Sequence, residues 1–532
     1  MNRKPQCRWL PWLVLAVVYL CTVGFYLKYG MHNLNSDISS EMVLAELLNE
    51  EGGFLSENWY YSTELRVVSP VPVYQLGLLL FDSWHVAHTF AIAVLLAGVV
   101  LSLIYLLRGA GVGDAGVYAA AALIVPFSDK YDFLFVYGGF YTVYFMLTCW
   151  LVGLTLRLTQ RKGRIIRFFF IAVLSFWGGL SGVRMLMMCG VPLLLTCAVL
   201  AFIKLAQSDA VRQAVSSQEA SAMTGATLSL LAMAGGYCVN AFAFSGKYNY
   251  VGYQDTLFQS IDLSAIRSQV EYIIEFFGTR LGVSLLSLQG LANMAALCLV
   301  LLIFICLVQY YVNRRELAFS QKVLVGFAVV ASGLGICLNM VTGLGETNSY
   351  SVAYYLPGLL LLVVLVFLWV EKMPFRMSWV RTGSFLLLTA IFGFESLMTL
   401  RATHRTEPGT TEEAAQWLVE NGYTNGYATF WNSNVMTEAS NGVLDVYVYY
   451  SWEGTELYPW LQRKSHLDTP PEGPVFVYIS EDDYHPTQPP CAQEDHLAWR
   501  SKEGSIYIYD SAAEVDALQR AQWSEQDAPA GE

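Results

Sequence analysis

Charge is scarce in this sequence. Asp, Glu, Lys and Arg make up 14% of its 532 residues and 55% are hydrophobic. Soluble domains carry nearer a quarter charged residues, so a water-facing globule of this size is excluded. Clustered Lys and Arg are lacking as well. The net charge is −12, and binding a phosphate backbone needs a dense basic surface, which excludes nucleic acid as a partner. There are ten cysteines but no C-x-x-C pair. Cys21, Cys149, Cys189, Cys197, Cys238, Cys298, Cys306 and Cys337 lie in apolar runs, and Cys491 has no partner in its own C-terminal segment. That argues against a zinc site or disulfide framework and for small buried hydrophobes.

The apolar residues are gathered into runs. A bilayer core of about 30 Å takes about 20 helical residues to cross. The first such run, 10–26, follows Arg3, Lys4 and Arg8. No small-residue cleavage site follows it, so it reads as an uncleaved helix rather than a signal peptide. Others lie at 84–107, 112–127, 138–157, 165–180, 185–203, 222–244, 291–312, 321–343, 351–370 and 382–400. The expected fold class is a polytopic α-helical membrane protein of about eleven transmembrane helices. With a cytoplasmic N-terminus, 17 basic residues fall on inner segments and seven on outer segments before residue 400. This is the positive-inside pattern, and an odd number of spans then leaves the C-terminus outside. The expected setting is a bacterial plasma membrane, crossed many times. Two outer loops are long, 29–70 and 245–290, and the inner 204–221 segment is polar.

Composition changes sharply after residue 400. Residues 401–532 hold 22 acidic and seven basic side chains, against 21 and 24 before them. We divide the chain into a membrane domain (1–400), an extracytoplasmic α/β domain (401–521) and an acidic tail of disordered composition (522–532). Thr410-Thr411-Glu412-Glu413 has the pattern of a capping box opening a helix to Glu420. Strands are expected at 427–431, 443–450, 475–479 and 505–509, between Pro- and Gly-rich linkers. The aromatic residues Trp431, Trp452, Trp460, Tyr447, Tyr449 and Tyr450 either stack on sugar rings or form the domain core. The second reading is the simpler.

Carboxylates are the candidate chemical groups outside. Asp37 follows the first run by about ten residues. Asp37 and Glu41 are spaced i, i+4, which puts both on one face of a helix. Such a pair can supply a general base, hold a metal, or occupy a solvated helix N-terminus, where acidic residues are favoured.

Downstream lie Gly53-Phe54-Leu55, Trp59-Tyr60-Tyr61-Ser62-Thr63-Glu64-Leu65-Arg66 and Ser69-Pro70-Val71-Pro72-Val73-Tyr74. An acidic residue just past the first span, followed by this extended loop, resembles the GT-C superfamily of membrane glycosyltransferases. That superfamily includes protein O-mannosyltransferases and lipid A aminoarabinose transferases. Gly178-Gly179-Leu180-Ser181-Gly182-Val183-Arg184 is similar to the small-residue and Arg turn of bacterial relatives. Pro126-Phe127-Ser128-Asp129-Lys130-Tyr131-Asp132 is similar to their acidic second outer loop. Asn348 to Pro357 resembles a late Arg-Tyr-x-x-Pro segment, with Ala353 near the place of the Arg.

The resemblance covers about 400 residues by architecture. It implies a polyprenyl-phosphate-sugar donor held at the bilayer and an acceptor hydroxyl on a cell-envelope polymer, lipid or protein. It implies inverting displacement at the anomeric carbon with Asp37 as base, Glu41 standing beside it. Glu64, Arg66, Asp129, Asp132, Arg184 and Tyr354 are the expected substrate-binding residues. Arg66 and Arg184 are the preferred phosphate contacts, set against simple snorkelling at the head groups. Asp129 and Asp132 could join Asp37 and Glu41 around Mg²⁺ or Mn²⁺, which take oxygen ligands. No compact D-x-D occurs in the first two outer loops, and metal dependence is open. His32, His85 and His88 read as interfacial residues rather than ligands.

Two other classes compete. A transporter or flippase would carry ionisable residues at mid-membrane depth and often an inverted repeat. Here the spans are nearly free of charge, with Glu395 near the outer end of the last. A non-catalytic cell-envelope assembly protein would use the outer domain for binding alone. A polysaccharide polymerase is the neighbouring enzyme class.

Overall fold

The computed structural model describes residues 9–160, 162–206, 218–251, 261, 263–343, 348–452, 456–483 and 489–526. Most of the polar 204–221 segment, residues 252–260 and 262 of the 245–290 loop, and residues 527–532 lie outside the described residues.

Among the described residues, eight helices are long and apolar enough to cross a bilayer: Leu10–Asn33, Trp84–Gly109, Leu186–Ala206, Gln218–Phe244, Leu288–Val312, Phe319–Thr342, Ser349–Lys372 and Ser378–Thr403. The remaining expected spans fall on Asp114–Leu123, Thr142–Arg157 and Arg164–Gly179, of 10, 16 and 16 residues. Each is shorter than the roughly 20 residues of a straight crossing, so of the about eleven expected spans eight meet the length criterion among the described residues and three are shorter apolar helices. Leu356–Lys372 is buried over nearly its whole length, as a helix apolar all round must be. Leu288–Val312 instead exposes Leu291, Leu301 and Phe304, an outward apolar surface that suits lipid. Small residues set the closest helix contact. A Cβ on Gly179 would lie 2.0 Å from the Met233 carbonyl oxygen, so only glycine lets Arg164–Gly179 meet Gln218–Val239 there.

The C-terminal domain is a five-stranded sheet with flanking helices. Its strands are β1 (Asn425–Thr429), β2 (Asp445–Tyr449), β3 (Val475–Ser480), β4 (Leu497–Arg500) and β5 (Gly504–Tyr509), in the order β2-β1-β3-β5-β4. β1 pairs in parallel with β2 and β3, while β5 runs antiparallel to β3 and β4. Four local expectations differ from the structure. The first strand stops at Thr429, and Trp431 belongs to the helix Phe430–Ala439. β4 was not expected, because Leu497–Arg500 is short and alternately exposed. Thr410–Glu420 is helical, but Gly409 is its N-cap and no side chain caps it. The Thr410 hydroxyl donates to Glu503 at 3.0 Å, and Glu412 faces His32 at 2.8 Å, so neither closes a capping box. The last helix, Ala512–Gln526, runs past Gln522, where the tail was expected to begin.

This domain sits on the first long loop. Helix Phe430–Ala439 packs on helix Ser36–Glu51, and the two share one apolar cluster. Tyr60 N–H donates to the Gln462 carbonyl at 2.9 Å and Leu461 N–H returns to the Tyr60 carbonyl at 2.8 Å. Arg463 forks onto Glu50 at 2.7 and 3.0 Å. His88 Nδ1 and Glu438 Oε1 meet at 2.7 Å, both buried. His32 and His88 are therefore contacts between the two domains.

Candidate active site

Asn35 starts the key helix by accepting the Ile38 N–H on its side chain at 3.0 Å. Asp37 then lies in the first turn of Ser36–Glu51, with Glu41 one turn on. Their environments differ. Glu41 is buried and its Oε1 lies 2.5 Å from Arg66 Nη1, while Oε2 has no partner among the described residues. Asp37 is half-buried, and among the described residues its carboxylate makes no hydrogen bond or ion pair. Burial pushes the pKa of both carboxyls up, and the Arg66 guanidinium works against that push; the Asp37 charge adds to it at Glu41.

A second arginine–carboxylate pair lies alongside. Gly182, with φ +112°, turns the chain after Arg164–Gly179 in a conformation that L side chains rarely adopt. Ser181 in that turn accepts the Val68 N–H at 2.6 Å, and the Leu180 carbonyl accepts from Asn240 at 2.8 Å. So held, Arg184 places Nε 3.0 Å from Glu64 Oε2 and donates Nη1 to the Tyr141 hydroxyl at 2.6 Å. Its guanidinium lies over the rings of Tyr141, Tyr144 and Tyr354, 5.1–5.8 Å from their centroids. Glu64 is buried with Oε1 unpartnered among the described residues. Burial raises its pKa against the charges of Arg184 and Arg66.

Glu64, Arg184 and Tyr354 line a cavity of about 250 Å³ whose other walls are Val183, Met187, Met188, Gly335, Leu338, Asn339 and Thr342. A few convergent polar groups on apolar walls are the usual makeup of a ligand site. Arg66 joins the two pairs electrostatically, since its charge acts on Asp37, Glu41 and Glu64 alike. The arrangement offers a carboxylate with no partner among the described residues, two half-buried cations and an apolar-walled cavity.

Asp37, Glu41, Glu64, Arg66, Arg184 and Tyr354 thus form one neighbourhood. Asp129 is exposed, though both it and Asp37 act electrostatically on Tyr350. Asp132 belongs elsewhere. It is buried, accepts the Tyr26 hydroxyl on Oδ1, and meets His404 Nε2 at 3.0 Å on Oδ2. Among the described residues, no three His, Cys, Asp or Glu side chains converge as a metal site. The expected grouping of Asp37, Glu41, Asp129 and Asp132 around one cation is therefore not assembled, because Asp132 and Glu41 are bonded to other partners. Snorkelling is likewise not what Arg66 and Arg184 do. They turn inward onto carboxylates, whereas Lys247 and Arg267 pair with Glu57 and Glu271 at the surface. Sequence reasoning missed Asn339, Met187, Met188, Tyr141 and Tyr144. The i, i+3 spacing of the two tyrosines was the one available signal.

No family model matches this sequence, and no curated protein matches it. Comparison of structures is informative. ArnT from Cupriavidus metallidurans in the apo state aligns with a TM-score of 0.58 at 11% identity, over 94% of this chain and 97% of that one. The likeness shows that the two chains share one fold over nearly their whole lengths. The arabinofuranosyltransferase AftD from Mycobacteria aligns at a TM-score of 0.49 and 14% identity, over 96% of this chain and 40% of that one. ArnT bound to undecaprenyl phosphate aligns at 0.40 and 14%, over 93% and 98%.

Proposed function

We propose that this protein is a glycosyltransferase that moves a sugar from a polyprenyl-phosphate donor to an acceptor hydroxyl on the extracytoplasmic face of the membrane. One observation carries the reading: a half-buried Asp37 with no partner among the described residues lies in reach of the Arg66 charge, and the neighbouring half-buried Arg184 opens onto an apolar-walled cavity. A lipid-linked phosphate needs that combination, cations for the phosphate and apolar walls for the chain near it. The fold shared with ArnT supports the reading.

In this mechanism the acceptor oxygen attacks the anomeric carbon as the bond to the phosphate oxygen breaks. The hydroxyl proton passes to Asp37, and the phosphate leaves with the bonding electron pair. One displacement inverts the anomeric centre. Arg184 and Arg66 stabilise the charge that grows on the departing phosphate. Glu41 and Glu64 orient the arginines. The basic-residue asymmetry supports the topology, with the C-terminal domain outside.

The test is release of sugar from synthetic polyprenyl-phosphate-sugars by the purified protein. Asp37→Asn is expected to lower turnover at least ~100-fold, the lower range for a lost general base. Turnover that survives the substitution would move the base to Glu41 or Glu64. Absence of turnover with every donor, with or without Mg²⁺ or Mn²⁺, would favour a transporter or an assembly protein.

A further inference from the structure

The six aromatic side chains that stand out in the C-terminal sequence do not share one fate. Tyr447, Tyr449 and Trp452 are buried in the domain core. Trp431 is 65% exposed, Tyr450 70% exposed, and Trp460 half-buried. These three are not scattered. The Trp431 ring lies 5.1 Å from Phe430, and Phe430 lies 6.1 Å from Tyr458. Tyr458 in turn lies 5.0 Å from Tyr450 and 6.1 Å from Trp460. Five rings from two separate segments are in contact, with the buried Phe430 linking Trp431 to Tyr458.

Those rings are held firmly against the helix that carries Asp37. Tyr458 N–H donates to the Val448 carbonyl in β2 at 2.8 Å, and Leu461 N–H to the Tyr60 carbonyl at 2.8 Å. The segment is thereby fastened between the sheet and the first long loop. Phe430 shares an apolar cluster with Met42, Val43 and Leu44 of the helix Ser36–Glu51, and Tyr458 and Trp460 pack against it. Burial, then the charges of Tyr450 and Asp37, push the Tyr458 phenol up.

We propose that Trp431, Tyr450, Tyr458 and Trp460 form the acceptor subsite, and that the acceptor is an uncharged saccharide whose ring lies on them while a hydroxyl faces Asp37. The proposal rests on the transfer reading above. Tyr and Trp pair a flat apolar face with a polar tip, which matches the C–H face and hydroxyl edge of a sugar ring. Buried in a core, such rings would not need open faces. Charge narrows the class further. The domain carrying the rings holds 22 acidic against seven basic residues and would repel a polyanionic acceptor.

The test uses the full-length protein in detergent with neutral trisaccharides (maltotriose, mannotriose and an arabinofuranosyl trisaccharide) as probes. Saturation-transfer NMR is expected to detect at least one of them, to lose the signal in a Trp431→Ala/Tyr450→Ala variant, and to recover part of it in Trp431→Phe. With donor present, the variant is expected to raise the ratio of acceptor KM to donor KM about three- to tenfold per ring removed. Binding of no trisaccharide, or equal binding by wild type and variant, overturns the proposal. So does quenching by brominated lipids of the fluorescence that Trp431→Phe removes, since the ring would then lie in the bilayer. The two readings fail separately. A wild type that binds a trisaccharide through these rings but turns over no donor sinks the transferase reading alone. Donor turnover lost in Asp37→Asn, with trisaccharide binding indifferent to the rings, sinks this one alone.

Discussion

Two buried carboxylate clusters lie where the first long loop meets the bundle, and they differ in what their atoms have left over. At Asp132 both oxygens are used, one by Tyr26 from the first helix and one by His404 at the end of Ser378–Thr403. At Glu41 and Glu64 one oxygen of each faces an arginine and the other has no partner among the described residues, while Asp37 beside them has none. A fully satisfied polar cluster holds elements together. A half-satisfied one costs stability, and proteins keep such groups at sites that must receive something. The comparison separates framework from chemistry among residues of the same type.

The largest effect to break this comparison is in stability. Asp132→Ala strands the Tyr26 hydroxyl and the His404 imidazole, about 1–3 kcal/mol each. The midpoint of thermal unfolding in detergent is expected to fall clearly further than for Asp37→Asn, and equal losses would erase the distinction. Next comes Asp37→Asn itself, with turnover reduced ~10²- to 10⁴-fold and the unfolding midpoint held near wild type. Arg184→Gln is expected to weaken binding of polyprenyl phosphate roughly 10- to 100-fold, the worth of one hydrogen bond to a charged group. A spin-labelled or fluorescent lipid phosphate would measure this, and unchanged affinity would leave Arg184 as framework.

The smallest effect is in pH dependence. A base works ionised, and burial raises the Asp37 pKa while Arg66 lowers it. Activity is therefore lost as pH falls through a value above the ordinary carboxylate range. Arg66→Gln removes the opposing charge, so the acid limb of kcat against pH moves to higher pH. A limb that stays in place would uncouple Arg66 from the base.

Much of the membrane fold was legible because hydropathy is a local property. The runs at 84–107 and 291–312 became helices with ends within a few residues. The failures were also local in origin. Asp114–Leu123 ends early, at Ile124, before the Ser128 cap of the next short helix, and its apolar run conceals that break. Thr410 has the right spacing for a cap, but its hydroxyl found Glu503. At the site, the i, i+4 spacing placed Asp37 and Glu41 on one helix. It could not say that Glu41 is taken by Arg66 or that Asp37 is left alone.

By itself the sequence determined a helical membrane protein with a weakly basic bundle, a soluble acidic domain and carboxylates past the first span. Those follow from composition and periodicity along the chain. Only the tertiary structure decided which arginine meets which carboxylate, that Asp132 braces the first helix against the end of Ser378–Thr403, and which aromatic rings of the C-terminal domain stay open. Arg184 and Glu64 are far apart in sequence, as are Phe430 and Tyr458, and no pattern along the chain records such meetings. Burial and the loss of competing water decide them, and both exist only once the helices have packed.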